Sequence, residues 1–253
     1  MTTYRELPPP AVLSDWVTCG WVSTRPGGAR ILPDGCVDLV WTGRRLIVAG
    51  PATASHVSSD APGVPKVGVR FRVGAAGAAL GLPASELLDH NPGAADVLGA
   101  EVADRVESMG DDPRRVLMEL TAVVSERLRD APGADPLVRA AARELTAANA
   151  RVRDVAYRLG LSERQLRRRF EAAVGYGPKV LARVLRLQRF LVLSSGGSDD
   201  AGLSRLAFDA GYSDQAHLAR ECAALTGLTP SALLAERRTA AGDAELRALT
   251  RAA

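Results

Sequence analysis

One pattern occurs twice in this chain, and the repetition leaves its C-terminal half few folds to choose from. Residues 203–234 read LSRLAFDAGYSDQAHLARECAALTGLTPSALL, and residues 155–181 carry the same pattern. Ala156 aligns with Ala207 and Gly160 with Gly211 at an offset of 51. After a turn one residue longer, Leu166 aligns with Leu218, Arg168 with Arg220, Gly175 with Gly227 and Pro178 with Pro230 at an offset of 52. Each copy reads as two short helices around a tight turn. In the first, Val155, Ala156 and Leu159 form an apolar stripe, Gly160 supplies the left-handed residue that ends a helix, and Ser162 with Gln165 forms the capping box that starts the next. In the second, Leu206, Ala207 and Ala210 form the stripe, Gly211 closes it, and Ser213 or Asp214 caps a helix running to about Thr226. Alanines at the crossing let two steeply inclined helices approach closely. The expected helix-turn-helix motifs lie at about 152–174 and 203–226.

Each second helix ends at a glycine, Gly175 or Gly227, and the next begins at a proline, Pro178 or Pro230. The helix opened by Pro178 reaches about Leu193 and, at 1.5 Å per residue, spans roughly 24 Å. It is suited to be a strut. Successive major-groove faces of duplex DNA lie about 34 Å apart, so reading helices near the two ends of this strut would enter adjacent grooves from one side.

The sequence GYSDQAHLARE followed by GLTP, paired with a more degenerate first motif, resembles the DNA-binding region of the AraC/XylS family of bacterial transcription regulators. The resemblance covers residues 135–253. It implies a sequence-specific regulator with double-stranded DNA and RNA polymerase as partners, and a small-molecule effector or a homodimer as further possibilities. Cys222 departs from the pattern, since the family usually has an aromatic core residue there; looser packing is expected without a change in the reading face.

With Leu166 and Phe170 turned to the core, Arg164, Arg167 and Arg168 are left exposed on the first reading helix. Their counterparts are Ala216, Ala219 and Arg220, with Gln215 opposite Glu163. Together with Ser162 at the head of the first helix, these are the expected DNA contacts. Arginine bonds guanine O6 and N7, glutamine pairs with adenine and alanine packs on a thymine methyl, so the first helix should favour G-rich contacts and the second a mixed sequence. Arg169, rotated about 100° from Arg168, should touch phosphate at most. Charge agrees with this division. Residues 1–133 carry a net charge of −3 and residues 134–253 one of +6, and residues 151–189 hold 11 basic against 3 acidic side chains, as suits a polyanionic partner.

Residues 1–73 read as β-rich, with strand candidates at 19–24, 35–41, 46–49 and 65–73. Turn signals separate them at Pro26, Thr42, Gly50 and Ala61. Val67, Val69, Phe71 and Val73 alternate with Lys66, Gly68, Arg70 and Arg72, which buries one face. The stretch LPDGCVDLVW at 32–41, with Gly50-Pro51 and GVRF at 68–71, resembles the N-terminal sensory domain of one AraC branch and implies a small β-barrel or barrel-like sheet. Helical patterns follow at 84–90, 94–109 and from Asp112-Pro113, where Leu117, Leu120, Val124 and Leu128 form a stripe. That stripe suits either a dimer partner or the chain's own sheet. The best linker is 130–135, with Asp135-Pro136 opening the next helix, and the tail after Arg238 is expected to be a frayed helix or disordered. The expected fold is therefore α+β in two domains: 1–130, a barrel-like sheet with helices, and 135–253, all-α with two motifs on a strut.

Other functions fit poorly. His56, His90 and His217 lack metal-site spacing, and there is no nucleophile elbow, phosphate-binding glycine loop or zinc-spaced cysteine pair, so neither catalysis nor a metal or cofactor is expected. Three cysteines at irregular spacing, no signal-peptide pattern and no run of 18 apolar residues point to the cytoplasm and away from membranes. Asp34, Asp38 and Arg70 are candidates to hold a polar ligand with Trp41 as a stacking surface, although Asp34-Gly35 is also a plain turn signal. The alternative is a metal- or thiol-sensing protein using Cys19 and Cys36, its DNA-binding half incidental or degenerate. Buried cysteine as a small apolar residue is commoner.

Overall fold

Alternation at 65–73 sets the N-terminal sheet. In the computed structural model, which describes residues 4–24, 29–58, 64–110, 112–196 and 202–239, this stretch is the central strand of a five-stranded sheet. Its strands are β1 (Tyr4–Leu7), β2 (Val17–Ser23), β4 (Asp38–Trp41), β5 (Leu46–Ala49) and β7 (Lys66–Phe71), and a separate ribbon pairs β3 (Arg30–Ile31) with β6 (His56–Val57). The order β1-β2-β7-β4-β5 is antiparallel throughout. Among the described residues β1 and β5 are its edges, so the sheet is barrel-like in composition but open. The expected turns at Pro26 and Ala61 fall outside the described residues, as does the tail beyond Thr239.

One face of this sheet carries Leu39, Trp41, Val67, Val69 and Phe71 into a core shared with helices α1 (Ala76–Leu80), α2 (Ala94–Leu98), α3 (Ala100–Glu107) and α4 (Pro113–Leu128). The helix expected over 94–109 is broken in two by Gly99, whose φ of +95° no other residue adopts easily. The segment at 84–90 forms only a 3₁₀ turn, Ala84–Leu87. Asp112 caps α4 as its sequence requires, accepting from Arg114 N at 3.0 Å. Leu120 and Val124 of the α4 stripe are buried in the sheet core, with Leu117 and Leu128 packed against it. Each fully buried side chain of this kind contributes about 1.5–3 kcal/mol. The stripe thus covers the chain's own sheet, which removes it as a dimer face.

Two further cores hold the C-terminal half. Helices α5 (Pro136–Glu144), α6 (Val152–Arg158) and α7 (Glu163–Val174) surround Leu166 and Phe170. Helices α9 (Leu203–Ala210), α10 (Gln215–Thr226) and α11 (Pro230–Thr239) surround Leu218, Cys222 and Leu225. Helix α8 (Pro178–Gly196) serves both, giving Leu181 to the first core and Val184, Leu187 and Leu191 to the second. Its 19 residues extend about 28 Å.

The halves meet along a seam of apolar and polar contacts, with Val73 and Leu88 packed against the first C-terminal core and Leu32 against the second. Gln188 of α8 donates to the Pro33 carbonyl, Arg139 of α5 pairs with Asp15 at 3.0 Å, and Arg30 pairs with Glu236 of α11 at 3.0 Å. Ser55 donates its backbone N–H to the Leu225 carbonyl and its hydroxyl to that of Thr226, at the end of α10.

Candidate nucleic-acid interface

The two motifs close with the same bonds. In the first, Leu161 N donates to Ala156 O and Gly160 N to Tyr157 O; in the second, Tyr212 N donates to Ala207 O and Gly211 N to Phe208 O. Gly160 at φ +67° and Gly211 at φ +93° make this left-handed closure possible. Ala156, Ala207 and Ala210 are fully buried at the helix crossings, where the short side chains were expected.

The starts of the reading helices differ in chemistry. Ser162 forms the full capping box: Gln165 N donates to its hydroxyl, while its own N–H and hydroxyl donate to Gln165 Oε1 at 2.8 and 2.9 Å. Its polar groups are committed to the cap. In α10 the cap is Asp214, which accepts from His217 N at 2.6 Å; that backbone bond, the largest influence, holds its carboxyl below the ordinary value despite slight desolvation. The alternative cap, Ser213, bonds the His217 ring instead. His217 also stands edge-on to Tyr212, with ring centres 5.3 Å apart, and Arg186 lies over the Tyr212 ring at 5.5 Å.

The candidate contacts lie together on the outer faces. Arg164, Arg167 and Arg168 are exposed on α7; Gln215, Ala216 and Arg220 are exposed on α10, with Ala219 half-buried between them. Among the described residues Arg164, Arg168 and Arg220 have no hydrogen-bonding or ion-pair partner. Arg167 pairs with Glu171 one turn along at 2.6 Å, and Gln215 accepts from Ser204 at 3.1 Å. Arg169 is turned away and donates to Asp135 Oδ2 at 2.6 Å. Although partly desolvated, Asp135 is held below its ordinary value by this bond and by the N–H groups of Val138 and Leu137. The N-terminal ends of α7 and α10, from which such helices address bases, are thus free, whereas the C-terminal end of α10 is bound to the seam.

The same offset relates two residues that sequence reasoning passed over. Tyr157 and Phe208, one on the first helix of each motif, are 85% and 73% exposed.

Residues 155–236, which include both motifs, match the family model described as "Helix-turn-helix domain". The C-terminal region is an AraC-type DNA-binding domain. The chain is accordingly a DNA-binding transcription regulator. Ahead of the AraC-type domain, residues 5–92 match a domain of unknown function, DUF6597. No curated protein matches the chain. A crystal structure of ToxT from Vibrio cholerae aligns at 11% identity and a TM-score of 0.44, over 86% of this chain and 96% of that one. A lysine-to-alanine variant of apo ToxT from the same organism aligns at 13% and 0.41, over 93% and 97%. Among the described residues no helix is long and apolar enough to cross a membrane, and no group of three or more histidine, cysteine or acidic residues is placed to hold a metal.

On the N-terminal half, the structure joins three of the four candidate ligand residues. Arg70 bonds Asp38 through two nitrogens, at 3.1 and 3.0 Å, and reaches Asp34 at 3.1 Å; Trp21 Nε1 donates to Asp38 at 3.0 Å. Burial pushes the Asp38 carboxyl up, against the pull of Arg70 and Trp21. Trp41 is on the opposite sheet face, packed in the core, and cannot stack on a ligand at Asp38. Cys19 and Cys36 are buried, and desolvation raises both thiols well above their ordinary value. This disfavours the thiolate that a sensor or soft-metal site needs.

Proposed function

We propose that the chain binds specific operator DNA through both motifs, with α7 and α10 in successive major grooves of one duplex face and α8 setting their separation. The observation that carries this reading is the pair of reading helices with matched closing turns, both exposed at their N-terminal ends. Arg164, Arg168 and Arg220 are the principal base-reading side chains, Gln215, Ala216 and Ala219 add a mixed preference, and Arg167 exchanges Glu171 for DNA. Ser162 acts by fixing the start of α7. Residues 1–130 form the sensory half and residues 135–253 the DNA-binding half, with RNA polymerase as the protein partner of the complex on DNA. An effector acts through the seam that ties the two halves, and any homodimer uses a face other than the α4 stripe.

Salt titration tests the docking of both motifs. Neutralising about 6–10 phosphates makes affinity fall roughly 10³–10⁵-fold between about 50 and 200 mM salt. Fluorescence anisotropy of the full chain on its selected duplex should show that slope; an affinity nearly independent of salt would contradict the reading.

A further inference from the structure

The third residue of each reading helix, Gln165 in α7 and His217 in α10, is one position of the repeat at its offset of 52. Both side chains fold back over the start of their helix and accept a backbone N–H there. Gln165 Oε1 takes the Ser162 N–H at 2.8 Å and the Ser162 hydroxyl at 2.9 Å. His217 Nδ1 takes the Ser213 N–H at 3.3 Å and lies 3.1 Å from the Ser213 hydroxyl. Tyr212, edge-on at 5.3 Å, holds the imidazole from a second side.

The atom used inside decides what is left outside. A backbone N–H can only donate, so the atom it meets in Gln165 is the carbonyl oxygen and the amide NH₂ is left over. By the same rule Nδ1 of His217 carries no proton, and the N–H of the ring is at Nε2. Neither the Gln165 NH₂ nor His217 Nε2 has a partner among the described residues. Gln165 is exposed, and Nε2 of the half-buried His217 is open to solvent. Two unlike side chains therefore present the same thing, an uncharged N–H donor at the head of a reading helix.

Capping accounts for the inner acceptors and not for the outer donors. Glutamate fills the third position of a capping box as well as glutamine does, and its charge in the first turn would also suit the helix dipole. A carboxylate there would repel an anion, whereas an amide and an imidazole attract one. Duplex DNA supplies the anion, because phosphates flank the groove and helix N-termini are among the groups that meet them.

We propose that Gln165 and His217 are a matched pair of phosphate-contacting residues, each donating its outer N–H to one phosphate and so fixing the register of its helix in the groove. This inference rests on the operator reading above, with α7 and α10 in successive grooves. The repeat then places the two phosphates about one turn of duplex, or roughly 10 base pairs, apart.

The test measures anisotropy of the full chain on its selected duplex, with an uncharged methylphosphonate in place of one phosphate at a time. Gln165→Glu keeps the oxygen that caps α7 and removes the donor. His217→Asn keeps an acceptor where Nδ1 stood and has no atom at Nε2. Each should weaken binding to the unmodified duplex about tenfold, as the loss of a hydrogen bond to a charged group requires, with melting temperature and sequence preference unchanged. At one phosphate each, where the wild type loses about tenfold on methylphosphonate substitution, the variant should lose nothing further. Should a variant melt early, this selective loss of sensitivity at one phosphate still decides, since a damaged cap would weaken binding on every duplex alike. Wild-type affinity in both variants, or methylphosphonate losses that persist in both at every phosphate, would overturn the proposal, as would two affected phosphates much closer than one turn. The two readings fail differently: a chain that selects no preferred duplex removes the operator reading and this pair with it, whereas a preferred duplex whose methylphosphonate profile neither variant alters removes the pair alone.

Discussion

The first and second motifs share a backbone and little of their surface. Both close through a left-handed glycine and the same pair of backbone bonds, and both bury leucine one turn into the reading helix, at Leu166 and Leu218. Yet α7 presents Arg164 and Arg167 where α10 presents Ala216 and Ala219, and Glu163 where α10 presents Gln215; Ser162 caps one and Asp214 the other, and Phe170 in the first core corresponds to Cys222 in the second. The comparison separates the residues that make a motif from those that give it an address. Turn, cap and core positions tolerate only equivalent solutions because helix ends must be satisfied and crossings filled; exposed positions carry no such demand and are free to diverge.

The largest expected contrast is in the cores. Phe170→Ala empties a fully buried aromatic site and should cost about 3–5 kcal/mol, whereas Cys222→Ala, at the equivalent position, should cost about 1 kcal/mol. Chemical denaturation of the two variants would show whether the cores are as unequal as their side chains; equal losses would mean that the two cores depend on these positions to the same degree. A smaller difference should appear in acid. The Asp214 carboxyl has a folded-state value below its ordinary 3.8, so its cap contributes above that pH and is lost as pH falls through the lower value. The Ser162 cap does not titrate in this range. Amide exchange should therefore quicken at His217 but not at Gln165 as pH drops below 3.8, and simultaneous quickening would remove the distinction between the caps.

Much of this was legible because local signals and tertiary structure agree. The strands at β2, β4, β5 and β7, the Asp112 and Asp135 caps and both turns follow from alternation, capping and glycine placement. Short pieces escaped: β3 and β6 have two residues each, too few to show a period, and the four of β1, YREL, mix charged and apolar side chains without a turn signal on their N-terminal side. Gly99 divided a helix whose apolar spacing reads as continuous. For Trp41, the alternation of a strand already separates it from Asp38, three residues away, and taking the two as one site overlooked that rule. Long-range pairings such as Arg169 with Asp135, Gln188 with Pro33 and Ser55 with Leu225 leave no local trace, so the seam emerges only in three dimensions.

Base reading by α7 and α10 is the central claim, and binding selections on randomised duplex test it most directly. Arg168→Ala and Arg220→Ala should each cost about 1–3 kcal/mol on the preferred site and relax choice at one or two base pairs, each in a different half of the site. Arg169→Ala, which removes the tie to Asp135, should leave the sequence preference as it was. An unchanged preference for both Arg168→Ala and Arg220→Ala would contradict the account, because neither helix would then lie in the groove in the register that the repeat requires.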